Sequence, residues 1–444
     1  MNHFKNALTL DAEYLEMARR NPQELRQDFD AIVDYMKHST AIHHGEYVRT
    51  CFKPKLLTES QFSQIKADMQ VLYSIFDRVM TEYESDASYR ALFGFDPRIE
   101  ELILRADRAP SLLPMARIDF FYNEETGAYT FCEFNTDGAS AMNEDRELHN
   151  AQQLSSVYRE FTAAHKTRRC ELFDSWVATM ERIWQRAGGH GTPRVAIVDY
   201  MECGTVNEFE VFRQHFEKAG IPAEVCDVRA LQYDGHALTG PAGAKIDMIY
   251  RRAVTSDVLN HYEESGALLQ AAKDNAVLLV GDFHTQIVHN KELFRVLHLP
   301  RTMQMLTDEQ RDYMQAHVPY TAEFAAEHLP MVLEDKDRWI LKPTDSYGSR
   351  GVYAGVEYDA DRWAEVVRSV PYTGYLLQEF HTPYVTENYG LKGEEFGLNR
   401  YYNLTGIYTY DGVAQGVYSR VSLTPIISSQ YSEKTLPTLL VADE

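Results

Sequence analysis

RIDFFYNEETGAYTFCEFN, residues 117–135, has the pattern of a β-hairpin. Two runs rich in aromatic and β-branched residues, RIDFFY and AYTFCEFN, flank the polar, glycine-containing ETG. Side chains alternate along a strand, so Arg117 and Asp119 share one face, as do Glu133 and Asn135. With the loop centred near Thr126, Asp119 falls opposite Glu133, and such cross-strand neighbours lie roughly 5 Å apart at Cβ. The expected polar face gathers two carboxylates, an amide oxygen and a guanidinium, while Ile118, Phe120, Cys132 and Phe134 form the apolar face. Oxygen donors of this kind suit Mg²⁺, which takes a few carboxylates together with substrate phosphates. The same residues also fit the solvated outer face of an amphipathic hairpin.

Outward from the hairpin, TDGASAMNEDREL leads into a helical region expected from about Leu148 to Ala187. Ser140, Asn143 and Glu144 stand where they would line a substrate pocket, or where an ordinary helix start would place them. GGHGTPRV breaks the chain at 188–195. RVAIVDY, IPAEVCDV, KIDMIYRRAV and AVLLVGDF then alternate with helical segments, which predicts a parallel α/β layer. No GxGxxG occurs in it, so a dinucleotide fingerprint is absent. Arg251 and Arg252 end one of its strands, facing an anion or making a surface salt bridge.

Upstream, residues 1–110 read as helical. Thr58 and Gln61 form a capping box before a run of apolar residues at spacings of three and four, and Asp96–Pro97 start another helix. The paired histidines His43 and His44 are expected on an exposed loop.

Downstream, Asn290 and Lys291 open a helix. In DRWILKPTDSYGSRGVYAGV, strand WILK ends in Lys342 and is followed by a loop with Ser346, Gly348, Ser349, Arg350 and Gly351, and then by a returning strand. Glycines free the backbone to wrap a phosphate with N–H groups, and lysine supplies a point charge. It is not a Walker A motif, since neither GK[ST] nor a helix follows the loop. GYLLQEF is a strand ending in Gln378 and Glu379, and the stretch from Phe396 to Val421 reads as two strands joined at TYDG, with Arg420 on the second.

Composition narrows the function classes. A chain of 444 residues with 44% hydrophobic and 25% charged residues is that of a globular protein with two or three domains. The net charge of −22 argues against nucleic acid and anionic membrane surfaces as partners. Five widely spaced cysteines without CxxC fit reduced thiols and a cytoplasmic setting. The first residues lack the apolar core of a signal peptide, and no stretch reaches the ~18 apolar residues of a membrane span.

The order of these motifs resembles the circularly permuted ATP-grasp enzymes of the glutathionylspermidine synthetase family, from about Pro114 onward. The RxD…ExN motif is matched by Arg117, Asp119, Glu133 and Asn135, the NK pair by Asn290 and Lys291, the second lysine by Lys342, the QE hinge by Gln378 and Glu379, and the closing G…R…I by Gly416, Arg420 and Ile426. The resemblance implies an α/β, more narrowly α+β ATP-grasp, fold in circularly permuted order. A helical segment (1–110) would precede the metal hairpin and its helices (111–187), a Rossmann-like pre-ATP-grasp layer (188–285) and the nucleotide-binding half with a glycine-loop lid (286–444). It implies an ATP-dependent ligase that joins a small carboxylate to an amine through an acyl-phosphate. Mg²⁺ would be held by Asp119, Glu133 and Asn135, with Arg117 catalytic. ATP would meet Lys291, Lys342, Ser346, Gly348, Ser349, Gly351, Gln378, Glu379 and Arg420; substrates would meet Ser140, Asn143, Glu144 and Arg350. The amidase activity of bifunctional members is not expected, since the helical segment 1–110 is short for that domain and contains only Cys51, and Arg350 stands farther from Lys342 than the arginine that helps hold glutathione in the spermidine enzymes. Two further readings are an ATP-binding regulator that has lost catalysis and an interaction module without a nucleotide.

Overall fold

The computed structural model describes residues 3–43, 45–105, 108–344, 350–428 and 433–443. Its centre is an antiparallel sheet built on the expected hairpin, Met115–Tyr122 and Tyr129–Asn135. The long strand Glu395–Tyr410 lies against Met115–Tyr122, with Val413–Ser422 and then Lys434–Leu436 beyond it, and Val385–Lys392 also pairs with the long strand. Asp411 and Gly412 join the two long strands with φ of 51° and 82°, the positive values a tight hairpin turn requires.

Register puts Arg117 opposite Asn135 and Asp119 opposite Glu133, as the alternation predicts. A bulge then intervenes: Phe120 pairs with Phe131, so Cys132 is the extra residue. The bulge corrects the expected apolar face. Ile118, Phe120 and Phe134 are buried, while Cys132 turns to the polar side and borders both hollows described below.

Helix Glu59–Ser85 covers the apolar side of the hairpin, and the Thr58–Gln61 capping box forms as expected. Phe134 lies between Phe76, at 5.1 Å between ring centroids, and Phe294, stacked at 4.6 Å. Each such aromatic pair adds about 0.5–1.5 kcal/mol beyond area burial. Pro97–Ile103 is a helix capped by Asp96. The N-terminal region is not wholly helical, however. Lys55–Thr58 pairs in parallel with Thr438–Val441, whose other edge takes Thr167–Arg169. The helix expected over 148–187 is broken twice, into Met142–Gln152, Ser156–Ala164 and Phe173–Arg186: first by a turn that ends in the Ser155 N-cap, then by the strand Thr167–Arg169. Strands of three and four residues, one mostly exposed and the other buried throughout, carry no alternation of their own, and long-range pairing decides them.

The parallel layer forms in the order Leu278–Val280, Met248–Arg251, Val195–Asp199, Ala223–Asp227. VAIVD and MIYR are buried throughout, the mark of strands covered on both faces. Arg251 and Arg252 are buried in ion pairs rather than on the surface: Arg251 with Asp137 at 2.6 Å, Arg252 with Glu208 at 3.3 Å.

A smaller antiparallel sheet, Thr321–Glu323, Tyr375–Glu379, Trp339–Pro343 and Tyr353–Ala354, packs helix Ala360–Ser369 through Trp363. The returning strand expected as VYAGV shortens to Tyr353–Ala354, followed by a single 3₁₀ turn. Among the described residues no helix is long and apolar enough to cross a membrane, and all five cysteines are free thiols.

Candidate active site

The polar face of the hairpin opens into two hollows that share Cys132, Glu133, Leu404 and Ile427. One is an apolar slot between the hairpin and the small sheet. Phe121, Phe131, Ile340, Val352 and Ile426 line it, with Lys291, Lys342 and the strand end Gln378–Glu379 at its polar rim. The other is a cavity of about 660 Å³ between the hairpin, the carboxyl ends of the parallel strands and the N-terminal segment. That size is in the range of small-molecule sites.

Asp119 is the hub. Its carboxylate accepts from Arg117 Nε at 2.9 Å and Nη2 at 3.2 Å, from Asn135 Nδ2 at 3.0 Å and from Arg420 Nη2 at 2.6 Å. Arg117 Nη1 also donates to the carbonyl of Ser140 at 3.1 Å, and Arg420 reaches Glu433 at 3.4 Å. Both guanidinium groups sit over the ring of Tyr418, at 5.1 and 5.6 Å from its centroid. Glu133 pairs instead with Lys291 at 2.8 Å. Burial pushes its carboxyl up, but Lys291, His289 and Lys342 outweigh that and bring it down to about 2.

Lys342 donates to Gln378 Oε1 at 2.7 Å and to the carbonyl of Cys132 at 3.4 Å, so it bridges the small sheet and the hairpin. Gln378 in turn donates to Thr321 Oγ1 at 2.9 Å. Glu379 borders the slot and pairs with Arg338 at 3.2 Å. Lys291 takes the N-cap position of helix Glu292–Leu297, and its backbone N–H donates to the carbonyl of Thr344.

Among the expected substrate residues, Ser140 and Glu144 line the large cavity. Ser140 does not cap the helix; Ala141 does, at φ 84°, and the Ser140 carbonyl accepts from Arg117 and, at 2.6 Å, from Tyr408. Asn143 is turned away, donating to the Thr40 carbonyl at 3.0 Å. Arg350 is exposed. Gly351 has φ +71°, and a Cβ there would meet the Tyr375 hydroxyl at 2.7 Å. Ser346, Gly348 and Ser349 lie outside the described residues, as does His44. His43 is half-buried and lines the cavity rather than standing on an exposed loop.

Sequence reasoning missed several residues here. Tyr418 carries both arginines, and His289 borders the cavity beside Lys291. Gly406 lies directly opposite Asp119, where a Cβ would meet its Oδ1 at 2.5 Å. A glycine inside the strand run NLTGIY was the available signal for that close approach.

No protein-family model matches the sequence, and a sequence search of curated proteins gives no match. In structure, the chain is similar to a glutathione synthetase-like effector from Globodera pallida in its apo form, at TM-score 0.62 and 13% identity over 95% of this chain and 98% of that one. It also aligns with a putative γ-glutamylcysteine synthetase from Methylobacillus flagellatus KT (TM-score 0.42, 11% identity, 87% and 89% covered) and with D-cycloserine synthetase (0.24, 12%, 56% and 92%). The first likeness is one of overall fold.

Proposed function

We propose that this chain is an ATP-dependent carboxylate–amine ligase of circularly permuted ATP-grasp architecture, similar to glutathionylspermidine synthetase in its nucleotide and metal residues. One observation carries the reading. Arg117, Asp119, Glu133, Asn135 and Arg420 from the central sheet converge with Lys291 and Lys342 where an apolar slot meets a substrate-sized polar cavity.

Adenine fits the slot beside Gln378 and Glu379, with Lys291 and Lys342 at the phosphates. Arg117 and Arg420 face the transferring phosphoryl group, where preorganised positive charge is the main catalytic requirement. The donor set at Asp119, Glu133 and Asn135 is all oxygen, and Glu133 is held ionised, so these residues fit Mg²⁺. When bound, Mg²⁺ neutralises the nucleotide's phosphate charge. The donor acid occupies the junction of the two hollows and becomes an acyl-phosphate; the amine arrives through the large cavity and displaces phosphate. No side-chain nucleophile is needed, only positioned charge.

A second reading, a nucleotide-binding regulator, is favoured by the saturation of Asp119 with two arginines and an amide. Incubation with ATP, Mg²⁺ and pools of amines and carboxylic acids, followed by mass spectrometry, separates the two. The ligase yields ADP and a condensed, dehydrated product. Calorimetric binding of Mg-ATP with no ADP formed would establish the regulator, and no binding at all would remove both.

A further inference from the structure

We infer that Glu144 is the general base that takes a proton from the incoming ammonium group; this rests on the ligase reading above. Glu144 lies in the first turn of helix Met142–Gln152 and lines the large cavity. Its Oε2 accepts from the Tyr418 hydroxyl at 2.6 Å and from Thr435 Oγ1 at 3.3 Å. The ring of that same tyrosine carries Arg117 and Arg420. One aromatic side chain therefore holds the carboxylate at one end and the phosphoryl-facing guanidiniums on its face, fixing their separation.

Its partners set Glu144 apart from the ion-paired carboxylates around it. Asp119, Glu133, Asp137, Glu208 and Glu433 each form an ion pair with an arginine or lysine. Glu144, among the described residues, is bonded by hydroxyls alone. A carboxylate committed to a guanidinium is a poor proton acceptor; one held by neutral donors keeps its basicity. The charged and titratable groups around it are Tyr418, Glu433, Glu208 and Arg117, with its neighbour Asp145 and Tyr408 also within electrostatic reach. Burial first, then the two glutamates, raise its carboxyl to about 7, against the opposing pull of Tyr418 and Arg117. A base in that range is matched to neutral conditions.

The step balances as follows. The acceptor enters as R–NH₃⁺ and one N–H proton passes to the Glu144 carboxylate. The freed lone pair attacks the acyl carbon, the C–N bond forms, and the C–O bond to phosphate breaks with its electron pair on the leaving phosphate. The second N–H proton leaves with that phosphate, and Glu144 returns its proton to water in the cavity.

The test compares two nucleophiles. Hydroxylamine is already neutral at neutral pH and attacks an acyl-phosphate without prior deprotonation, whereas ethanolamine and diaminobutane arrive as ammonium ions. Wild type, Glu144→Gln and Glu144→Asp are given Mg-ATP, a pool of carboxylic acids and either nucleophile, and hydroxamate or amide is measured across pH. The expected result is amide formation reduced about 100-fold in Glu144→Gln, with hydroxamate formation reduced far less. The acidic limb of the amide pH profile should disappear, and Glu144→Asp should recover part of the rate. Equal losses with both nucleophiles would overturn the assignment. So would loss of that limb in Asp199→Asn instead; Asp199, which also lines the cavity, is likewise raised to about 7 by burial. If wild type makes no hydroxamate with any acid, the ligase reading itself fails, and the base assignment with it.

Discussion

Arg117 is held by three partners: the Asp119 carboxylate through two hydrogen bonds, the Ser140 carbonyl through one, and the face of the Tyr418 ring. Removal of its guanidinium leaves Asp119 with Arg420 and Asn135. Arg117→Ala should therefore melt only modestly lower while turnover falls by roughly 10²–10³, the loss expected for one preorganised donor. Melting temperature and ATP turnover measured on the same preparation decide it, and a large stability loss with near-normal turnover would show a structural cluster instead. Glu144 makes a separate prediction through its raised pKa. Below the ordinary carboxylate range both folded and unfolded chains hold its proton. As pH rises toward 7 the unfolded chain loses the proton first, so stability falls, and the loss is complete above the folded value of about 7. Glu144→Gln removes this penalty, so its stability relative to wild type should rise by about 1–3 kcal/mol between mildly acidic and mildly alkaline conditions. Denaturant melts at both ends of that window measure the difference, and a constant offset would contradict the raised value.

The site depends on two irregularities in its strands. The bulge after Asp119 brings Cys132 and Glu133 to the same side of the hairpin, and Lys342 donates to the Cys132 carbonyl it exposes. Gly406, on the neighbouring strand, leaves room for the Asp119 carboxylate and for the Arg117 methylenes, which a Cβ there would meet at 3.1 Å. Its φ is not in the left-handed region, so alanine is tolerated by the backbone and strikes only the side chains. Gly406→Ala should keep the fold and lower turnover about tenfold or more, because misplaced charge is costly even at sub-ångström scale. Wild-type turnover in a well-folded Gly406→Ala protein would mean that the Arg117–Asp119 geometry is not catalytic.

At the scale of the whole molecule, chain ends and centre are interlocked. Thr438–Val441 sits between Lys55–Thr58 and Thr167–Arg169, and helix Glu59–Ser85 packs against the hairpin in a core shared with the parallel layer. Leu439, Leu440 and Val441 are each at most 2% exposed. Burying three such side chains contributes about 4–9 kcal/mol, comparable to the net stability of a typical domain. Removal of residues 437–444 should therefore abolish cooperative folding. A truncated protein with an unchanged thermal transition would show that the N-terminal segment folds without the C-terminal strand.

Local chemistry was legible in the sequence wherever period and composition act over short range. The hairpin and its register followed from alternation and the ETG turn, the parallel layer from strand runs alternating with helical segments, and the helix starts from Thr58–Gln61 and Asp96–Pro97. The same alternation puts Asp119 opposite Glu133. What it left open depends on partners distant in the chain. The bulge that re-aims Cys132, the break of the 148–187 helix by a strand, and the burial of Arg251 and Arg252 against Asp137 and Glu208 each need a surface supplied from elsewhere. The pairing of Arg420 with Asp119 spans some three hundred residues. Periodicity records which face of an element is buried. Tertiary packing alone decides which charges meet there, because ion pairing depends on distance in space and leaves no repeat along the chain.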